Sequence, residues 1–499
     1  MRRSAWIAGA LALALSWSAA AGEQPDLKAL LEQRVVEPER VLEEVQVFTE
    51  SRVVPMPEPR SAAEWEEYVA RLRRDVFDRV VFRGEAAKWR DADVKVEWLD
   101  EIEGGPGYRI RKLRYEALPG LWIPALLYEP EQLDGKVPVV MNVNGHDGNG
   151  KAADYKQIRC INQAKRGMLA LNVEWLGMGQ LRGEDYVHYR MNQLDLCGTS
   201  GLAPFYLSMQ RGLDVLLAHE HADAARVAVA GLSGGGWQTI VISALDERVT
   251  LSNPVAGYSS FLTRARNFSD LGDSEQTPVD LGAVADYHHL TAMRAPRPTL
   301  LTYNANDQCC FKADHALPPL MAAAQPIFAL YGKQDALRSH VNSDPGTHNF
   351  ELDNRQQLYR MFGDFFFGDR DGFDGKEIPS ESEVKSKDDL NVPLPDDNAS
   401  FRTLAVALAR ELPRAPALPT ERDFARKWQA KRRAILAEIV RAETPDVTAT
   451  AVETLDGEGT LRAKTWRLRV GDDWTVPAVE LVRDARRTEF HSVRGNPDG

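Results

Sequence analysis

The chain has 499 residues, 43% of them apolar and 27% charged, ordinary globular values that exclude collagen-like, low-complexity and coiled-coil readings. A formal net charge of −12, from 61 basic and 73 acidic residues, argues against nucleic-acid binding, which normally needs a basic face. Four cysteines over this length cannot form a disulfide scaffold.

The first element is an address. Met1-Arg2-Arg3 is a short positive head, Ser4 to Trp17 is rich in Ala and Leu, and Ala19-Ala20-Ala21 follows. Charge, a brief apolar run and small residues predict a secretory signal peptide over 1–21. The run is too short to cross about 30 Å of hydrocarbon. No later stretch approaches a span, so the mature chain is expected to begin near Gly22, to stay off the membrane, and to be secreted or periplasmic.

Residues 62–83 place Trp65, Tyr68, Val69, Leu72, Val76, Phe77 and Val80 on one side of a predicted helix. Alternating runs from Tyr108 to Leu113 and from Leu121 to Tyr128 predict antiparallel strands. From Val139 the texture changes to short apolar strands at Val139–Val143, Met168–Val173, Val227–Ala230, Pro298–Tyr303 and Pro326–Tyr331, with helical patterns such as 202–220 between them. Such a chain builds a mostly parallel sheet covered by helices on both faces. Ligands then bind beyond the carboxyl ends of the strands.

Residues 379–419 are polar and Pro-containing at the start, and read as a linker or wrapping segment. Residues 420–499 echo the front of the chain. Phe424, Arg432-Arg433 and Ile439-Val440 match Trp65, Arg73-Arg74 and Val80-Val81. Thr475-Val476-Pro477-Ala478 matches Trp122-Ile123-Pro124-Ala125. This predicts a C-terminal α+β segment resembling the opening of a second copy of the unit over 22–378.

Gly231-Leu232-Ser233-Gly234-Gly235 follows an apolar strand and precedes a helix. A serine nucleophile on a tight strand-to-helix turn needs small neighbours, because backbones approach closely there. The helix N-terminus also favours the negative charge of an oxyanion. The Gly-x-Gly-x-x-Gly spacing of dinucleotide binding is missing. In the order Ser, acid, His, the acid is Asp307, three residues after the strand Pro298–Tyr303, with Asp335 and Asp344 as rivals. The base is His348 in Gly346-Thr347-His348, in the last loop of the sheet. Its unperturbed pKa near ~6.5 suits accepting and returning a proton. The other histidines, including His340, His219-x-His221 and His288-His289, lack that combination of order and place. Two N–H donors are needed for the tetrahedral intermediate. Gly234 supplies one, and the backbone of His146, in Asn144-Gly145-His146-Asp147-Gly148 after the first parallel strand, supplies the other.

The run from Gly231 to Trp237, with Arg211-Gly212-Leu213-Asp214 upstream and Gly346-Thr347-His348 downstream, resembles the α/β-hydrolase superfamily. Within it, residues 100–370 look closest to the acetyl xylan esterase, dienelactone hydrolase and prolyl oligopeptidase group. The resemblance implies an α/β-hydrolase fold and an acyl-enzyme formed by Ser233, Asp307 and His348. Two positions depart from the pattern: Gly234 stands where acetyl xylan esterases commonly have Gln, and the oxyanion loop opens Asn144-Gly145 rather than His-Gly. Both bear on substrate rather than reaction type.

The leading expectation is a secreted serine esterase acting on an ester substrate such as an acetylated polysaccharide, with no metal or organic cofactor. A prolyl oligopeptidase-type peptidase is the first alternative, although about a hundred residues leave no room for that family's propeller ahead of the hydrolase unit. A non-catalytic binding protein on the same scaffold is the second. Vicinal Cys309-Cys310 lies beside the acid, either disulfide-linked to Cys197 or Cys160 or as buried thiols. Asp369-x-Asp371-Gly372-x-Asp374 is an Asp-Gly turn lacking the length and final Glu of a calcium loop.

Overall fold

The computed structural model describes residues 32, 34–368, 373–414, 417–456 and 461–483. The predicted signal peptide and Asp369 to Gly372 lie outside them. Two units are present, Thr49–Ala415 and a second formed by Met1–Phe48 with Pro416–Gly499.

The larger unit is organised by nine strands: β1 Val96–Glu103, β2 Tyr108–Leu118, β3 Leu121–Pro130, β4 Val137–Asn142, β5 Leu169–Val173, β6 Ala222–Leu232, β7 Leu251–Val255, β8 Thr299–Asn304 and β9 Leu337–Asn342. Their order in the sheet is β1-β2-β3-β5-β4-β6-β7-β8-β9. The first three are antiparallel, β3 meets β5 antiparallel, and β5 through β9 run parallel. This is the α/β-hydrolase arrangement that the resemblance implies. β5, β7 and β8 are buried along their whole length, as strands covered on both faces must be. Strand order reverses at β4, which pairs with β5 on one side and β6 on the other. A crevice opens at such a reversal, between the loops that leave β4 and β6. Those loops carry His146 and Ser233.

The predicted N-terminal helix is Ala62–Val76, capped by Ser61 Oγ, which accepts from the Glu64 N–H. It buries Trp65, Val69, Leu72 and Val76, the periodic positions. One predicted strand is wrong. Pro326–Tyr331 is the last turn and cap of a helix, Ala313–Leu330, and the final strand is β9. A short apolar run has no periodicity of its own, so Pro-Ile-Phe-Ala-Leu-Tyr reads equally as either element. β9 has one buried residue at each end and a partly exposed middle, the pattern of an edge strand without an apolar run. His348 keeps its predicted place between this last strand and the helix Leu352–Phe362.

After β9 the chain crosses back over the unit. Asn162 Nδ2 donates to the Ile378 carbonyl at 3.0 Å, Gln180 Nε2 to the Val392 carbonyl at 2.7 Å, and Asn398 pairs with the Trp122 backbone. The helix Phe401–Glu411 follows, with Phe401 against Phe205.

The second unit contains the helix Arg422–Ile439 and an antiparallel sheet, β10 Val447–Asp456, β11 Leu461–Val470 and β12 Trp474–Arg483. Pro477 faces Arg467 across β11 and β12, and Pro124 faces Arg114 across β2 and β3.

Candidate active site

Ser233 sits between β6 and the helix Gly234–Leu245 with φ 61° and ψ −125°. This conformation is strained for a residue with a side chain. Its surroundings hold it there: the Ser233 N–H donates to the Val255 carbonyl at 2.9 Å, and the Trp237 N–H donates to the Ser233 carbonyl at 3.0 Å. The side chain is thereby presented at the helix N-terminus, on the wall of a cavity of about 610 Å³ that His146, Asp273, Cys309 and His348 also line.

The loop after β4 crosses the same helix end. A Cβ on Gly145 would lie 2.4 Å from the Leu232 carbonyl oxygen and 3.0 Å from the Gly234 nitrogen, so only glycine lets the two backbones approach. Asn144 fixes the loop: its Nδ2 donates to Asn172 Oδ1 at 2.9 Å, and its carbonyl accepts from Gln238 Nε2 at 2.6 Å. The loop that carries His146 is therefore packed against the helix end at Gly234.

Asp307 and His348 are joined. His348 Nδ1 donates to Asp307 Oδ2 at 2.8 Å. The other oxygen accepts from the backbone N–H groups of Cys309 and Cys310 at 3.0 and 3.2 Å, and Asn304 Nδ2 donates to Oδ2 at 3.2 Å. Burial pushes the Asp307 pKa up, but the hydrogen bond and charge of His348 outweigh it and hold it below the usual carboxylate value. Burial likewise pushes His348 down, and Asp307 more than reverses this, so His348 stands above its ordinary 6.5. The Asn306 N–H, donating to the Gly346 carbonyl at 2.8 Å, ties the acid loop to the histidine loop. Ser233 and His348 share the cavity, but no hydrogen bond is formed between their side chains; such contacts often close only around substrate. The rivals lie elsewhere: His340 pairs with Asp353 at 2.7 Å. All four cysteines are free thiols, and no disulfide pins the acid loop.

Sequence reasoning missed a second group of side chains beside Ser233. The Trp175 ring packs on His146 and His188, with centroids 4.7 and 4.5 Å away. His146 and His188 meet Asp273 and Glu275. Burial would lower the His188 pKa, but the charge of Glu275 and hydrogen bonds to Asp273 and Glu275 push it up to about 10. Asp273 is held far below the carboxylate range by hydrogen bonds from His146 and His188. These residues come from three separate loops, so no spacing in the sequence announces them.

Residues 83–283 match the family model of acetyl xylan esterase. The match contains Ser233 and the His146 loop but ends before Asp307 and His348. No curated protein sequence matches the chain. Among solved structures, Methylesterase BT1017 is similar with a TM-score of 0.57 and 21% identity, over 74% of this chain and 79% of its own. A glucuronoyl esterase from Solibacter usitatus gives 0.46 and 15% identity, over 62% of this chain and 98% of its own. Acetyl Xylan Esterase 1 from Thermoanaerobacterium sp. JW/SL YS485 gives 0.42 and 18%, over 63% and 96%. The chain thus has an α/β-hydrolase fold, and its residues 83–283 carry the acetyl xylan esterase family signature.

Proposed function

We propose that this protein is an exported serine esterase that removes acyl groups from carbohydrate, acetylated polysaccharide being the leading substrate class. The observation that carries this reading is the strained Ser233 on the wall of a cavity shared with His348, whose imidazole is locked by Asp307 at 2.8 Å. The acetyl xylan esterase signature over 83–283 supports the ester chemistry.

In this mechanism Ser233 Oγ attacks the ester carbonyl and its proton passes to His348 Nε2. Asp307 orients the ring through Nδ1 and stabilises the imidazolium. The oxyanion accepts from the N–H groups of Gly234 and His146. Collapse expels the alcohol, which takes the proton from His348. Water then attacks the acyl-serine, gives a proton to His348, and releases the acid as Ser233 is restored.

The test is a panel of aryl acetate, longer acyl, acetylated xylan, glucuronoyl ester and aminoacyl-proline amide substrates on the purified mature chain. Acetyl esters are expected to turn over fastest. Faster turnover of the proline amide would contradict the esterase reading. Export is checked separately: the mature protein is expected to begin near Gly22.

A further inference from the structure

We propose that His146, His188, Asp273 and Glu275 form a binding site for one divalent first-row transition ion of the Zn²⁺ class, in the wall of the candidate catalytic cavity. Three loops supply the ligands: His146 follows β4, His188 opens the turn His188–Met191 after β5, and Asp273 and Glu275 flank the start of the turn Ser274–Gln276 after β7. One ligand atom from each lies within 4.8 Å of all the others.

The spacing fits a tetrahedral ion. Metal bonds of about 2.0–2.1 Å put neighbouring ligand atoms about 3.3–3.4 Å apart in a tetrahedron. His146 Nε2 lies 3.2 Å from His188 Nδ1, 3.2 Å from Asp273 Oδ2 and 3.7 Å from Glu275 Oε1. His188 Nδ1 lies 3.4 Å from Asp273 Oδ2. The shortest contact, His188 Nδ1 to the other Glu275 oxygen, Oε2, at 2.8 Å, is the one that a cation between the two groups would open.

The second line is the state of the ligands. His188 Nε2 lies 2.7 Å from the Leu176 carbonyl oxygen, which accepts its proton. A metal ion would take the place of the proton that Nδ1 otherwise holds between the two carboxylates, with the Nε2 proton on the carbonyl as in the outer-contact arrangement of a metal-ligating histidine. Glu275 is completely buried, and its two carboxylate oxygens face His188 Nδ1 at 2.8 Å and His146 Nε2 at 3.7 Å. A buried carboxylate facing imidazole nitrogens needs a cation. A single proton serves one of these contacts, whereas a metal ion serves four.

Two imidazole nitrogens with two carboxylate oxygens suit Zn²⁺ and its neighbours, whereas Mg²⁺ and Ca²⁺ prefer all-oxygen sets. The ion would tether the His146 loop, and so the proposed oxyanion donor, to the two loops that follow β5 and β7. This gives it a positioning role. The sequence reading expects no metal because a serine esterase needs none, and the four ligands share no motif that announces a site.

The experiment measures metal, not turnover, so its outcome is independent of the esterase reading. The purified full chain is stripped with a chelator, titrated with Zn²⁺ by calorimetry, and analysed for bound metal. Co²⁺ is added as a spectroscopic substitute. One ion per chain and the visible bands of tetrahedral cobalt are expected, in the parent and in Ser233→Ala alike. Glu275→Gln and Asp273→Asn should each weaken Zn²⁺ binding by at least ~10–100-fold, the cost of losing even an outer-shell partner. Asp273 is partly exposed, so Asp273→Asn keeps the test intact where Glu275→Gln fails to fold. No stoichiometric binding by the parent, or unchanged binding in a folded ligand variant, would overturn the site.

Discussion

The ring of Trp175 occupies the space that a side chain on Gly234 would fill. A Cβ on Gly234 would meet Trp175 Cη2 and Cζ3 at 2.2 and 2.3 Å. The absence of Gln after Ser233 therefore has a local cause: a fully buried indole stands in its place. The fit also brings the cluster beside Ser233, since Trp175 packs on both His146 and His188.

Gly234→Ala should therefore destabilise the protein by about 1–3 kcal/mol, the usual cost of overpacking a filled core. Trimming the ring in Trp175→Phe frees the colliding atoms. The double variant should be more stable than the sum of the single effects, a coupling that a thermal-denaturation cycle measures. Strict additivity would show that the two residues do not compete for one space.

Gly145→Ala tests the proposed oxyanion loop. Its new Cβ falls 2.4 Å from a backbone carbonyl, which cannot swing aside as a flexible side chain would. The loop must lift away from Ser233. Acetyl ester kcat is expected to drop ~10²–10³-fold, comparable to losing one oxyanion donor. Fluorophosphonate labelling should slow with it.

The pH profile follows from the Asp307–His348 pair. In the proposed mechanism His348 must be neutral to accept the Ser233 proton, and Asp307 holds its pKa above 6.5. The acid limb of kcat/KM should therefore have its midpoint above that value. In Asp307→Asn the favourable charge is gone and burial remains, so the midpoint should move to lower pH as the rate falls by up to ~10⁴-fold. A limb that stays in place would mean that Asp307 does not govern the histidine.

Behind the site, Lys151 and Glu174 form a buried pair at 3.3 Å with side chains 2% and 1% exposed. Glu174 also accepts from the backbone N–H groups of Lys151 and Gln180 at 2.9 and 3.1 Å. Lys151→Met leaves that carboxylate buried without its partner. A loss of about 3–5 kcal/mol is expected in denaturant unfolding, larger than any surface pair would give.

The sequence carried most of the sheet and the tight turn after β6 because both are written locally. β4, β5, β6 and β8 are short apolar runs, and the Gly-rich turn around Ser233 answers to close backbone approach. β7, Leu-Ser-Asn-Pro-Val, escaped because its polar residues find partners inside the sheet: Asn253 Nδ2 donates to the Leu300 carbonyl at 2.8 Å. The end of the helix Ala313–Leu330 was misread because an apolar hexamer has no readable period. The cluster of His146, His188, Asp273 and Glu275 was invisible because only the folded loops bring these side chains together.

The central claim is that Ser233 is the nucleophile, and fluorophosphonate labelling of the intact chain tests it most directly. One adduct per chain is expected, mapped to the peptide that contains Ser233, with none in Ser233→Ala and slow labelling in His348→Ala. Ser233→Ala labelling as fast as the parent would contradict the account.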